Sequence, residues 1–167
     1  MADSPQENVL NLLSAFSCSR DKDVESFLKE KAIVREKKHI SRTYLIFRAD
    51  AEPELVAYFT LAIGCMGVSD IKCSNELLRK MNVRKDVVQN YLIGQLGKCD
   101  GGEKGLGKLA ISYALARIKE ANIKVGCRVI RVDCGGPLIE YYTDNGFKLV
   151  RQNAEGNLNQ MVCIIGD

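Results

Sequence analysis

The residues best suited to chemistry lie in a glycine-rich stretch near the middle of the chain. Four of the seven residues from Gly101 to Gly107 are glycine. A strand-like run at 91–98 precedes the stretch, and a helix-like run follows it directly. Glycine allows several backbone N–H groups to converge, and the start of a helix adds positive potential. The pattern therefore predicts a site for an anion such as the phosphates of a ligand.

A Walker A loop is one alternative for this stretch. Its consensus, G-x-x-x-x-G-K-[ST], is matched at Gly102, Gly107 and Lys108. The next residue is Leu109, where binding of Mg²⁺ requires a hydroxyl group. This mismatch disfavours the Walker A interpretation.

A dinucleotide-binding fingerprint is a second alternative. Gly105, Gly107 and Ala110 spell G-x-G-x-x-A, and Asp133 follows at the end of a later strand-like run. In that fold the first glycine directly follows its strand, and several further strand–helix units come after it. Here seven residues separate Gly97 from Gly105, and only about sixty residues follow the loop. This interpretation is disfavoured as well.

The order of the elements after the loop favours a third interpretation. A helix-like run comes first, followed by a β-branched strand at 125–134 and a short helix at 137–145 that ends in Y-x-x-x-G-F, at Tyr142, Gly146 and Phe147. This order resembles the GNAT superfamily of acetyl-CoA-dependent N-acetyltransferases over the whole C-terminal half. The helix-like run has apolar residues at i, i+3 and i+4 spacing, namely Leu106, Leu109, Ala110, Tyr113, Ala114, Ile118 and Ala121.

The pyrophosphate loop of that superfamily reads [QR]-x-x-G-x-[GA], which falls here on Gly102, Gly105 and Gly107. The first position departs from the family, since Gly102 stands in place of glutamine or arginine. The resemblance implies that backbone amides hold the pyrophosphate, with Lys104 and Lys108 supplying charge, and that no metal is required. The implied acetyl-CoA site comprises Leu96, Gly97, Lys98, Glu103, Lys104, Gly105, Leu106, Gly107 and Lys108.

The resemblance also implies roles for the central strand and for one tyrosine. The pantetheine arm is expected along the strand from Leu92 to Lys98, with the main chains of Leu96 and Lys98 as its partners. Tyr142 is implied to be the general acid that protonates the sulfur of coenzyme A, the alternative being a tyrosine that only packs beside Phe147. Tyr141 is out of phase with the motif and is expected in the core. A family asparagine seven residues before the catalytic tyrosine is replaced by Gly135.

The N-terminal half resembles one branch of the superfamily, the acetyltransferase toxins of bacterial toxin–antitoxin operons. The matching residues are Phe16, Cys18, Phe27, Leu28, Ala32, Ser41 to Ile46 and Ala57 to Ala62. Such toxins acetylate the amino group of the amino acid carried on tRNA. The branch therefore implies aminoacyl-tRNA as the acceptor, an antitoxin protein as a partner and a homodimer as a possible assembly.

The acceptor can be argued from the residues too. No carboxylate occurs between Tyr91 and Lys98 to act as a general base. An α-amine has a pKa of about 7.7–8.0, against about 10.4 for lysine, so water suffices to deprotonate the former. This favours an α-amino acceptor. Two basic segments, at 29–48 and 79–85, are candidate phosphate contacts. The alternatives are a small-molecule or protein-amine acetyltransferase without a toxin role, and a coenzyme-A-binding module without catalysis.

The expected fold is a single α/β GNAT domain over residues 1–167, with a mixed central sheet of about six to seven strands and helices on both faces. The sheet is expected to splay at the acetyl-CoA strand. Residues 8–16 predict a first strand, with a short helix as the alternative. Residues 74–89 predict a helix capped by Ser74 or Asn75, and Asp50 to Pro53 predict a turn.

Composition limits the other classes of function. The net charge is +3, too small by itself to indicate a nucleic-acid-binding protein. No apolar run approaches the length of a membrane span, and the N-terminus lacks a signal pattern, so we expect a cytoplasmic protein without membrane contact. Seven cysteines without a C-x-x-C pair, and a single histidine, disfavour disulfides and zinc. Cys99, beside the loop, is expected to be a packing residue.

Overall fold

The computed structural model describes residues 5–49, 53–69 and 71–166, with the side chains of residues 5–7 excluded. Within this part of the chain lie six α-helices: α1 (Pro5–Ser14), α2 (Lys22–Ser26), α3 (Ala32–Lys37), α4 (Asn75–Lys80), α5 (Leu106–Lys124) and α6 (Ile139–Asp144). A π-helical turn, Phe27–Lys31, joins α2 to α3, and a 3₁₀ turn, Gly136–Leu138, precedes α6. Most of the turn predicted at Asp50–Pro53 lies outside the described residues.

A six-stranded sheet is formed by β1 (Arg42–Arg48), β2 (Glu54–Gly67), β3 (Val87–Lys98), β4 (Val129–Cys134), β5 (Lys148–Gln152) and β6 (Asn159–Ile164). The strand order is β1-β2-β3-β4-β6-β5. β3 and β4 are parallel, whereas β6 is antiparallel to both β4 and β5. The mixed α/β sheet expected from the sequence is thus confirmed.

The first segment is helical, so the predicted strand at 8–16 is wrong and its helical alternative is right. Leu13 and Phe16 are buried three residues apart, and Leu12 packs against the same cluster. Leu12 and Leu13 thus belong to the last turn of the helix, and Phe16 is buried just after its end. Pro5 stands at the first helical position, where a missing N–H costs no hydrogen bond.

The helix predicted at 74–89 is too long. Ser74 caps α4 as expected, since its hydroxyl accepts the backbone N–H of Leu77. The helix then ends at Lys80 because Asn82, Lys85 and Asp86 have positive φ angles. Arg84 and Val87 form both backbone hydrogen bonds across Lys85 and Asp86, at 3.0 Å each. This is the pattern of a two-residue type I′ turn, and β3 begins directly after it.

The chain divides into two compact units. One unit contains the residues up to Thr60 together with Gln95–Tyr113, and the other contains Leu61–Gly94 together with the residues from Ala114 onward. Each has its own buried apolar cluster. The first cluster comprises Leu13, Phe16, Cys18, Val24, Leu28, Ala32, Leu55 and Tyr58. The second comprises Met66, Leu77, Met81, Val88, Val129, Val150, Val162 and Ile164. We retain the single domain as a prediction.

Helix α5 buries a narrower face than its sequence predicts. The buried residues of the helix are Ala110, Ile111, Ala114 and Ile118. Three of them, at 110, 114 and 118, have the i, i+4 and i+8 spacing of one helix face. Leu109 and Tyr113, which we placed on the apolar face, are 42% and 48% exposed. The true buried face is therefore rotated toward Ile111.

No helix in the described residues is long and apolar enough to cross a membrane. Within the same residues, no group of three or more His, Cys, Asp or Glu side chains is arranged to hold a metal ion.

Candidate functional site

The glycine-rich loop connects β3 to α5, as the sequence predicts. Gly101 and Gly105 have φ angles of +70° and +92°. L-residues with a side chain rarely adopt such angles, which explains glycine at both places. The Gly102 N–H donates to the Cys99 carbonyl, and Leu109 N–H donates to the Gly105 carbonyl at 3.0 Å. The backbone thus turns sharply and enters α5 at Leu106.

Asp100 anchors the start of the loop. Its carboxylate accepts the hydroxyls of Ser17 and Ser19 and the backbone N–H of Ser19, and its own N–H donates to the Ser17 carbonyl at 2.8 Å. The hydrogen bond from the Ser17 hydroxyl, followed by those from Ser19, holds the pKa of Asp100 below its usual range. The loop is therefore tied to the segment between α1 and α2.

The loop presents a set of backbone N–H groups without acceptors. Among the described residues, no acceptor is within hydrogen-bond distance of the N–H groups of Glu103, Lys104, Gly105, Gly107 and Lys108. Gly107 and Lys108 lie in the first turn of α5, where a helix cannot satisfy its own N–H groups. The positive end of the helix dipole lies at the same place. This arrangement is suited to an oxyanion, above all to a phosphate group.

The lysines of this loop differ in whether they can contact a ligand. Lys98 donates from Nζ to the Gly102 carbonyl at 3.1 Å and so closes the loop. Lys104 and Lys108 are exposed, and neither has an ion-pair or hydrogen-bond partner among the described residues. Both are thus free to contact an anion.

Glu103 is held by Arg48, at 3.4 Å between Oε1 and Nη1, and Arg48 also pairs with Glu54. Between β1, β2 and the loop lies a cavity of about 190 Å³. Its lining includes these three charged residues, Cys99 and the first residues of the loop. Burial raises the pKa of the Cys99 thiol. The thiol is therefore neutral near pH 7, as expected of a packing cysteine.

Two glycines of the site are required by packing. A Cβ on Gly97 would lie 2.3 Å from Val24 Cγ1, so the main chain of β3 passes directly under α2. A Cβ on Gly102 would lie 3.0 Å from the Cys99 carbonyl oxygen and 3.1 Å from Leu106 Cδ2. A side chain at this position would therefore require its neighbours to shift by a few tenths of an ångström.

The backbone of β3 changes its pairing along its length. Asn90 to Ile93 pair with β4, and β3 then continues to Lys98. In the continuation, Gln95 N–H donates to the hydroxyl of Thr60 at 2.9 Å. Leu96 is half-buried, and Gly97 is buried. The continuation of β3 contains the two predicted main-chain partners of the pantetheine arm.

Tyr142 lies on α6 in the second unit and is only 5% exposed. Its ring contacts Phe147 edge-on, with centroids 5.6 Å apart, and Tyr141 at 5.2 Å. The Tyr142 carbonyl accepts the N–H groups of Asn145 and Phe147 at 3.0 Å each. The turn through Gly146, which has a φ of +87°, thus fixes the Y-x-x-x-G-F motif around this ring.

Tyr141 is half-buried, and its hydroxyl has no hydrogen-bond partner among the described residues. Burial raises its pKa. Gly135, in place of the family asparagine, is sterically open, since an added Cβ would meet only Pro137 Cδ, at 3.8 Å.

The predicted cofactor residues, from Leu96 to Lys108, all belong to the first unit, whereas Tyr142 belongs to the second. Sequence reasoning missed Asp100, Ser17 and Ser19, which hold the loop, and Arg48, which holds Glu103. The available signals were serines on both sides of Cys18 and an aspartate directly before the first glycine.

Comparisons with known proteins agree with this architecture. No family model matches the chain, and no curated protein matches it. Among solved structures, a tyrosine-to-phenylalanine mutant of KacT superposes with a TM-score of 0.76 at 19% identity, over 91% of this chain and 86% of that one. AtaT complexed with acetyl-methionyl-tRNAfMet superposes with a TM-score of 0.73 at 19% identity, over 88% of this chain and 85% of that one. AtaTR bound with AcCoA superposes with a TM-score of 0.69 at 18% identity, over 91% of this chain and 86% of that one. The chain therefore has the fold that the sequence resemblance implied.

Proposed function

We propose that this protein is an N-acetyltransferase that moves the acetyl group of acetyl-CoA to a primary amine. The observation that carries the proposal is the set of loop N–H groups without acceptors, at the start of α5. A pyrophosphate offers several charged oxygens to such donors, and charge-assisted hydrogen bonds are among the stronger ones. Lys104 and Lys108, which are exposed and unpaired in the described part of the chain, add charge.

The main chain of β3 supports this proposal. The continuation of β3, from Gly94 to Lys98, would hold the pantetheine arm by its main chain, as an added strand does. A backbone N–H of this segment would polarise the acetyl carbonyl. These assignments remain proposals that rest on the sequence resemblance.

Tyr142 is the proposed general acid. The amine nitrogen forms a bond to the carbonyl carbon, the carbon–sulfur bond breaks, and the Tyr142 hydroxyl protonates the departing sulfur. A phenol has a pKa of about 10 and a thiol about 8.5, so the acid is protonated at neutral pH. Solvent takes the proton that the attacking amine loses and returns one to the tyrosine.

The proposed acceptor is the α-amine of an aminoacyl-tRNA. One structure of the same fold is AtaT complexed with acetyl-methionyl-tRNAfMet. In this chain, part of the first basic segment is already neutralised, since Lys29, Arg42 and Arg48 form ion pairs with glutamates. Lys31, Lys37 and Lys38 are exposed without such a partner among the described residues and are the cations we assign to tRNA phosphates.

An antitoxin partner, a homodimer and a cytoplasmic location are proposed on the same resemblance. Structures of the same fold include AtaT bound to the C-terminus of the antitoxin AtaR, and a KacTA–DNA complex.

Transfer of label from radioactive acetyl-CoA tests the proposal. The full chain is incubated with a pool of charged tRNA and, separately, with a panel of free amines and polyamines. We expect label in the tRNA fraction, released by ester hydrolysis as an N-acetyl amino acid. The rate should fall steeply with added salt because phosphate contacts release counterions.

Label found only in free amines would overturn the tRNA acceptor and keep the acetyltransferase. Tight binding of acetyl-CoA without transfer to any acceptor would favour the second candidate, a non-catalytic module. The observation that favours this candidate is the glycine at 102, where the resemblance expects a phosphate-binding side chain and where an added Cβ would lie 3.0 Å from the Cys99 carbonyl oxygen.

A further inference from the structure

A cleft of about 540 Å³ lies in the second unit, at the amino ends of β3 and β4. It is distinct from the glycine loop, which follows the carboxyl end of β3. One wall is the segment between α4 and β3, and the other is the segment between α5 and β4. Its lining comprises Met81, Asn82, Arg84, Val87, Gln89, Asn122, Gly126, Cys127 and Arg128. Its volume is in the range of small-molecule sites.

Two arginines give the cleft its charge. Arg84 and Arg128 are both exposed, and neither guanidinium has a hydrogen-bond or ion-pair partner among the described residues. No carboxylate belongs to the lining that the structure describes. The fork of a guanidinium matches the oxygens of a phosphate in charge and in geometry. The charged group of a ligand in this cleft is therefore an anion.

Three amide side chains occupy the same cleft. The side-chain oxygen Oδ1 of Asn122 accepts the backbone N–H of Cys127 at 2.8 Å, which leaves the side-chain NH₂ group available. Asn82 and Gln89 are exposed. An amide offers a donor and an acceptor side by side, the combination that pairs with the edge of a base such as adenine. Met81 and Val87 supply apolar surface for the face of a ring.

The backbone of one wall is strained where it borders the cleft. Asn82, Lys85 and Asp86 have φ angles of 53°, 49° and 61°. The turn is fixed by the paired hydrogen bonds of Arg84 and Val87 and by Val68 N–H, which donates to the Asp86 carbonyl at 2.9 Å. Residues in such conformations persist only when their surroundings hold them, and they cluster at binding sites. Here the paired hydrogen bonds with Val87 hold the backbone of Arg84 at the cleft.

We propose that this cleft binds a nucleotide, with Arg84 and Arg128 on the phosphate and the amides of Asn82 and Gln89 on the base. This second site is independent of acetyl transfer. A bare phosphate would leave most of the volume and both amides unused, and an uncharged nucleoside would leave both arginines unpaired.

The thiol of Cys127 provides a local readout. Its sulfur lies in the cleft, 3.4 Å from the Gln89 carbonyl oxygen. The full chain without coenzyme A, which is itself an adenine nucleotide and would compete for the cleft, is alkylated with iodoacetamide and mapped by peptide mass spectrometry. AMP at about four times its dissociation constant should slow alkylation of Cys127 about fivefold, because only empty sites react. Exposed Cys65 is the internal control.

Substitutions identify the contacts. The double variant R84Q/R128Q should weaken AMP binding, measured by calorimetry, by at least about tenfold. The matched control is Arg79→Gln, which removes an exposed arginine of α4 that does not line the cleft. It should bind AMP as the unchanged protein does.

The proposal is wrong if AMP fails to protect Cys127, or if R84Q/R128Q and Arg79→Gln bind AMP equally. Equal protection by inorganic phosphate or by adenosine would overturn recognition of a whole nucleotide. Protection by a single-stranded oligoadenylate but not by AMP would assign the cleft to a nucleic-acid strand instead. Loss of acetyl transfer itself would not affect any of these results.

Discussion

The adjacent tyrosines of α6 allow a matched test of the proposed acid. Tyr142→Phe removes only the hydroxyl, while the ring contacts with Phe147 and Tyr141 are retained. We expect kcat to fall by about a hundredfold or more, the usual contribution of a general acid, with little change in the dissociation constant of acetyl-CoA. Steady-state release of the coenzyme A thiol, beside calorimetry, measures the two quantities.

Tyr141→Phe is the control, because its hydroxyl is buried without a hydrogen-bond partner in the described residues. Its kcat should be unchanged. If Tyr142→Phe lost binding and turnover together, Tyr142 would be a packing residue. If both variants retained full turnover, the acid would lie elsewhere.

Among the elements, the turn before β3 stores strain that a substitution can relieve. Lysine at 85 has a φ of 49°, which disfavours a long side chain, whereas asparagine is the preferred residue at the first central position of a type I′ turn. We expect Lys85→Asn to raise the free energy of unfolding by roughly 0.5–1 kcal/mol, measured by urea denaturation.

The same replacement in a helix should lower the free energy of unfolding instead of raising it. Lys37→Asn, at the end of α3, exchanges a good helix former for a poor one and should lower stability by roughly 0.5 kcal/mol. Stabilisation by both substitutions would show that the gain comes from the removed charge and not from the turn.

The elements differ in how far local sequence determined them. The loop, the start of α5 and the Y-x-x-x-G-F turn were predictable, because glycines at 101, 105 and 146 have the positive φ angles that only glycine adopts freely. The turn at Lys85 and Asp86 contains no glycine, so the apolar residues around it appeared to continue a helix. In the first segment, apolar and polar residues alternate well enough to resemble a strand. Only the burial of Leu13 and Phe16 against other elements favours the helix.

The anchoring of the loop was not predictable for a different reason. Asp100 bonds to Ser17 and Ser19, more than eighty residues earlier in the chain. No local pattern reports such a contact. The same holds for Gly102, whose close contacts with Cys99 and Leu106 exist only in the folded loop.

For the molecule as a whole, acid stability should depend on Glu25. The backbone N–H of Cys18, then Lys29 and Lys22, lower the pKa of Glu25 from 4.5 to about 2. Between these values the unfolded chain takes up a proton that the folded chain does not, so the free energy of unfolding falls as the pH falls from about 4.5 toward 2. Glu25→Gln should lose this contribution above pH 4.5 and show a shallower decline below it.

Urea denaturation from about pH 2.5 to about pH 6 measures the effect. Glu30→Gln, in the adjoining π-helical turn, removes an exposed carboxylate and serves as the control. Identical pH dependence in the unchanged protein and in Glu25→Gln would show that these hydrogen bonds do not stabilise the fold.

The central claim is that the loop at the start of α5 is the phosphate site for acetyl-CoA, and its most direct test is the affinity of the full chain for that ligand by calorimetry. The unchanged protein should bind, and Gly107→Asp should bind more than about a hundredfold more weakly, because a carboxylate beside the free N–H groups repels phosphate. Ala116→Asp places the same charge on an exposed position of α5 and should bind normally. Absence of binding by the unchanged protein, or equal affinity in Gly107→Asp, would contradict the account.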